Sequence, residues 1–343
     1  MKSKSLICYS IALFIILLFL CNLLYGSVSI PAQAVMDILL GRDVERSSWT
    51  GIVLQSRLPQ ATTALLAGSS LAVSGLMLQT LFRNPLAGPG ILGVSNGASL
   101  GVAIVLLYSG NVSGSGSVVW GGVGLSTILA AFLGALAILS LIVYLSARLK
   151  SNMLVLIVGM MMGYLTASGI SILNAFAASE NIRSYVLWGL GSFSSVSYKQ
   201  LPFYSLTLLL GLLASLLLIK PLNLLLLGEN YAANLGINVK RARIQILAVA
   251  GFLTAIVTAF CGPVTFIGLA VPHVAQMVLG TSNQQFLAPA TLLSGAAIAL
   301  LCNLLTILPF GNGLLPLNAV TPLLGAPVII YVVLNRKNTR YFN

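Results

Sequence analysis

Charge is what this sequence has least of. Of 343 residues only 6% are Asp, Glu, Lys or Arg, where a soluble domain carries about 25%. Five are acidic (Asp37, Asp43, Glu45, Glu180 and Glu229), and there is a single histidine, His273. So few acid–base groups leave little from which to assemble a catalytic site, and no catalytic residue is expected. The four cysteines, Cys8, Cys21, Cys261 and Cys302, lie inside apolar stretches at neither metal-ligand nor disulfide spacing. They read as small buried hydrophobes, and no metal site is expected. The chain has no G-x-x-x-x-G-K-S/T loop, so it does not hold ATP by that route, and no cofactor is expected.

What is there instead is apolar: 58% of the residues are hydrophobic and 33 are glycine. A soluble chain of this kind could not cover its surface with polar groups, whereas in a bilayer the outer surface must itself be apolar. Glycine fits the same reading, since small residues let membrane helices approach closely. The length would allow two soluble domains, but a helical membrane bundle forms one unit, and residues 1–343 are read as a single all-α transmembrane domain.

A stretch of about 20 apolar residues crosses the hydrocarbon core as a helix. Ten candidates follow, roughly 5–26, 60–82, 91–108, 119–147, 152–177, 200–219, 241–260, 265–279, 286–308 and 318–334. The eighth is short and carries Pro272, which predicts a kink. Lys2 and Lys4 precede the first run, and Ala32-Gln33-Ala34 has the look of a signal cleavage site. The run is too long for a signal h-region and the small residues lie too far beyond it, so a retained first span is expected.

Orientation follows from the basic residues. Ten spans put both termini on one side, together with Lys2, Lys4, Arg83, Arg148, Lys150, Lys220, Lys240, Arg241, Arg243, Arg336, Lys337 and Arg340. Arg42, Arg46, Arg57, Arg183 and Lys199 fall on the other. The bias places both termini in the cytoplasm of a multi-pass inner-membrane protein surrounded by lipid. The formal charge of +12 does not indicate nucleic acid, because the basic residues are scattered singly at the ends of apolar runs. Outside, residues 30–40 read as a short helix with Pro31 in its first turn, and 180–198 as a Gly/Ser-rich connection containing Trp188. Inside, the main segment is about 220–243.

No acid, lysine or arginine lies mid-span, and His273 is the one titratable candidate of that kind. An ion-coupled carrier normally needs such groups at the midplane. Energy for transport should therefore come from another subunit. An ion-coupled secondary transporter and a non-transporting membrane scaffold stay open as other classes.

The motifs narrow this. Arg57-Leu58-Pro59 opens the second span, which continues Gly68-Ser69-Ser70 to Ser74-Gly75; Arg83-Asn84-Pro85-Leu86-Ala87-Gly88-Pro89-Gly90 follows. Later come Leu227-Gly228-Glu229 with Leu235-Gly236, Gly262-Pro263, Phe266-Ile267-Gly268, Val271-Pro272-His273 and Thr321-Pro322-Leu323-Leu324-Gly325-Ala326-Pro327. In this order, from about Ile52 to Leu334, the chain resembles the FecCD-type permeases of iron–siderophore, haem and vitamin B12 importers, the type II ABC importer permeases.

The resemblance implies a homodimer of ten-span subunits with the path at the dimer axis. It also implies two cytoplasmic ABC ATPases and an external or periplasmic binding protein that delivers a metal chelate. An iron–siderophore is the expected cargo, with haem or cobalamin as the alternative. Glu229, Tyr231, Ala232, Leu235 and Gly236 match the coupling helix that docks on the ATPase, with Gly236 as its stop. Asn84 and Pro85, between glycines and a second proline, form either a structural hairpin or part of the gate. Ser151 and Asn152 stand where relatives close the inner gate, or simply cap a helix. Pro272 and His273 belong to a triplet that recurs whatever the cargo, which favours a packing or hydrogen-bonding role over a haem ligand. Arg57, on the outer side, resembles an arginine that pairs with a carboxylate on the binding protein, and Arg183 or Lys199 is a substitute for it. Here the chain departs from the family: Gln60 replaces a second arginine, Ile307 a third, and Leu314 and Asn318 stand where Glu and Gly are common.

Overall fold

The computed structural model describes residues 2–44, 46–108, 124–149, 151–307 and 315–334, and every structural statement below concerns these. Lys150, Leu314 and the basic C-terminal residues Arg336, Lys337 and Arg340 lie outside them, as do the first residues of the fourth predicted span. The described chain is all helical. In order it forms α1 (Lys2–Leu24), α2 (Ala32–Leu39), α3 (Ser47–Ile52), α4 (Leu58–Phe82), α5 (Val94–Ala103), α6 (Leu125–Arg148), α7 (Asn152–Phe176) and α8 (Ser179–Gly189). There follow α9 (Leu201–Leu217), α10 (Ile219–Leu226), α11 (Glu229–Asn234), α12 (Val239–Cys261), α13 (Ile267–Leu279), α14 (Gln284–Ile307) and α15 (Leu317–Leu334).

Each of the ten predicted apolar segments coincides with a helix. Six are long and apolar enough to cross a membrane by length and composition, α3–α4 counting as one through a wider turn at Val53–Arg57. A seventh forms if α9 and α10, bent by 48°, act as one span. The apolar parts of α5, α13 and α15 are shorter. Within 180–198, read from sequence as a Gly/Ser-rich connection, the first part is helical: α8 buries Trp188, which stacks on Tyr185 with ring centroids 6.4 Å apart. Ser179, Glu180 and Arg183 lie on its exposed side.

Helix α4 is the axis of the bundle. It packs on α14, α12, α13 and α9 and is buried on nearly every side. Small residues permit this. A methyl added at Gly68 would run into the Gly295 carbonyl of α14, and one at Gly295 into the Gly68 carbonyl. Such contacts hold membrane helices together where lipid removes the hydrophobic drive between them.

Two non-helical segments fold back against this bundle and are partly buried in it. The stretch after α4 is led away by Arg83, in the left-handed region at φ 48°, and folds back so that Pro89 packs on Gly268. Coming the other way, residues 262–266 return from the end of α12 so that α13 begins beside Leu71 and Gly75, more than half-way along α4. Backbone polar groups at such depth need protein partners, and side chains supply them. Gln79 Nε2 donates to Leu269 O at 3.0 Å, Asn84 Oδ1 accepts from Leu86 N at 2.9 Å, and His273 Nε2 lies 2.7 Å from Pro85 O.

Candidate functional site

Orphan helix carbonyls organise both ends of the bundle. Every α-helix leaves its last C=O groups without intrahelical partners, and a guanidinium or amide nearby can collect them. At the end carrying α2 and α8, Arg57 does this for α1: Nη1 donates to Leu23 O and Leu24 O, both at 2.8 Å, and Nη2 to Val28 O. The side chain is only 5% exposed. Arg57, expected to meet the binding protein, instead turns its charge onto the end of α1. Gln60, which stands in for the second arginine, donates to Asn303 Oδ1 at 2.9 Å inside the bundle. Arg183 is exposed on α8.

In the sequence Asn318 is visible only as a departure from the family. Its Nδ2 donates to Gly189 O at 3.0 Å and Pro263 O at 2.6 Å, while its Oδ1 accepts from Thr265 N at 3.2 Å. One amide thus ties α8, the segment before α13 and the start of α15.

The basic end of the bundle holds the denser arrangement. Gly228, at φ 112°, swings the chain out of α10 into the short helix α11, and Gly236, at φ 86°, stops it. Both values lie where an L side chain is strained. The residues expected on the coupling helix divide by face. Tyr231 and Leu235 are 56% and 53% exposed and Gly236 is exposed, but Ala232 is fully buried.

Glu229 turns inward. Its carboxylate takes both oxygens to Arg243 Nη2, at 3.1 and 3.2 Å, and accepts from Asn152 Nδ2. Arg243 Nη1 donates to Leu149 O, just past the end of α6, at 3.1 Å. Asn152 Nδ2 also donates to Leu81 O, in the last turn of α4, at 3.0 Å. Nearby, Arg83 Nη2 reaches Leu226 O of α10 at 3.4 Å. The first residue of α11 is therefore joined to α12 and α7 directly, and to α6 and α4 through one further side chain each. Charge-assisted bonds of this kind are about twice as strong as neutral ones.

Asn152 and Glu229, assigned different tasks from sequence, are in direct contact. Neither Ser151 nor Asn152 caps α7: Ser151 makes no side-chain capping bond, and the Asn152 amide reaches across to other helices. Sequence reasoning gives Arg243 only the role of a topology-setting charge. Its helical register carries the missing signal, because Arg243, Ile246, Leu247 and Ala250 share one buried face of α12. Asn84 and Pro85 are half-buried in the returning turn, and Pro272 and His273 are buried beside it. Among the described residues, no three His, Cys, Asp or Glu side chains group as a metal site would require.

An all-helical membrane bundle with short helices that start part-way through it, and non-helical turns folded back against it, has the build of a transporter. Comparison with known proteins makes the class particular. The chain belongs to the FecCD transport family, whose profile matches residues 13–335. It is 31% identical over 326 residues to the hemin transport system permease HmuU of Yersinia pestis, covering 95% of this chain and 96% of that one. To the vitamin B12 import system permease BtuC of Klebsiella pneumoniae it is 35% identical over 286 residues, 83% of each chain. A solved inward-facing structure assigned to the metal-chelate type of ABC transporter superposes with a TM-score of 0.82 at 29% identity, over 97% of this chain and 99% of that one.

Proposed function

We propose that this chain is the membrane-spanning subunit of an ATP-driven importer that brings a metal chelate across the inner membrane. It works as a homodimer, each copy crossing ten times with both termini in the cytoplasm. Two ABC ATPases sit on the basic end, and an external binding protein delivers cargo to the opposite end. The observation that carries this reading is α11, a short helix held out between two longer ones on the basic side. It offers Tyr231 and Leu235 to a partner while Glu229 and Ala232 fasten it to the bundle.

The cargo is a metal chelate. Haem or cobalamin is favoured over an iron–siderophore, because HmuU and BtuC are named for hemin and vitamin B12. Arg183, exposed on α8, and the exposed Lys199 are the basic side chains proposed for contact with the binding protein. Gentle purification from the native membrane tests the assembly. The expected result is an ABC ATPase at about one copy per permease, with hydrolysis stimulated by hemin or cyanocobalamin in the presence of the binding protein. A chain that emerges alone from several mild detergents overturns the reading.

A further inference from the structure

The contacts of α11 divide its residues into two sets, and the division assigns a task that the importer reading leaves open. Tyr231 and Leu235 face outward, while Glu229 faces a nearly buried arginine, with side-chain exposures of 35% for Glu229 and 6% for Arg243. We infer that Glu229, Arg243 and Asn152 form an internal joint: they do not dock the ATPase but convert displacement of α11 into movement of α7.

Two features support a moving part over a plain fastening. The bonds converge from separate helices. Arg243 fixes α12 to the end of α6, Asn152 fixes the start of α7 to the end of α4, and both side chains meet on the Glu229 carboxylate. Displacing α11 therefore pulls on both at once. The network is also incompletely satisfied, since Arg243 Nε and Asn152 Oδ1 are buried with no partner among the described residues. A fully bonded polar cluster rigidifies its surroundings, and this one falls short of that. Arg243 and Asn152 are thus positioning residues, acting on the path through α7.

This inference rests on the importer reading, so the experiment separates the two. The permease is purified with its ATPase, its four native cysteines replaced by alanine and a single cysteine introduced by Ser151→Cys, at an exposed position beside the joint. Three quantities are read: ATPase retained per permease, ATP hydrolysis, and the change in maleimide labelling between nucleotide-free and vanadate-trapped states. For Glu229→Gln and for Asn152→Asp, retention and hydrolysis should stay within about twofold of the parent while the nucleotide-dependent labelling change is lost. Combining the two substitutions moves the carboxylate across the same hydrogen bond and should restore part of that change, which a merely destabilised protein would not do. Tyr231→Ala should do the opposite and release the ATPase. Loss of the ATPase from Glu229→Gln, or an unaltered labelling change in it, overturns the joint. A parent chain that brings no ATPase overturns the importer reading itself.

Discussion

Helices α4 and α7 are each 25 residues long and both read from sequence as spans, yet 89% of the most apolar window around α4 is buried, against 22% for α7. The buried one is the less hydrophobic. Helix α4 is built of Ala, Gly, Ser and Thr with Leu between them, whereas α7 carries Met153, Leu154, Met161, Tyr164 and Leu165 outward. In water the more apolar helix would be inside. In a bilayer the solvent is as apolar as leucine, so what selects the interior is small size and satisfiable polarity. Hydropathy finds the spans in such a protein but does not order them from centre to rim.

That contrast can be broken most forcefully at Gly75, where an added side chain meets the Gly268 backbone. Neither segment can yield, and Gly75→Leu should cost about 3 kcal/mol or more, read as loss of the monodisperse peak in detergent and a lowered melting temperature. A smaller effect is expected at the rim of the same helix. Arg57→Ala would strand the carbonyls of Leu23 and Leu24, and loss of a charged donor costs about 1.5–3 kcal/mol. The melt should fall while affinity for the binding protein stays unchanged; weaker binding without a shifted melt would restore a docking role to Arg57. Least of all should change at Leu165, 65% exposed on α7. Leu165→Ala is expected to stay within about 0.5 kcal/mol in a single copy, and a larger loss confined to the dimeric form would place this face at the interface.

The same physics divides what was legible. All ten apolar segments could be found, because lipid demands continuous hydrophobic length, and the series of motifs carried the family. The stop at Gly236 was readable from residue type, since a helix terminus there needs a left-handed conformation. Arg57 and Arg243 lie at opposite ends of the bundle, but a basic residue near a helix end can face a headgroup or cap another helix, and composition does not distinguish these. Asn318 stood out only as a departure because its partners are backbone groups from remote segments, which leave no side-chain pattern. The connection at 180–198 was not resolved into a helix for a related reason: α8 lies on the surface, where period and polarity give a weak signal.

The half-length α13 has a consequence for how the chain enters the membrane. Thirteen residues rise about 20 Å, well short of the hydrocarbon thickness, and the helix begins only where the segment before it has already folded back against the bundle. Released alone from the ribosome, it would present unpaired backbone and too little apolar length to settle in lipid. Its stable partition therefore depends on α4, synthesised nearly 200 residues earlier, already standing in place with Gly75 and Gln79 to receive it. Defects in the α4 groove should therefore first show as a nascent chain whose segment from α13 onward fails to leave the insertion machinery.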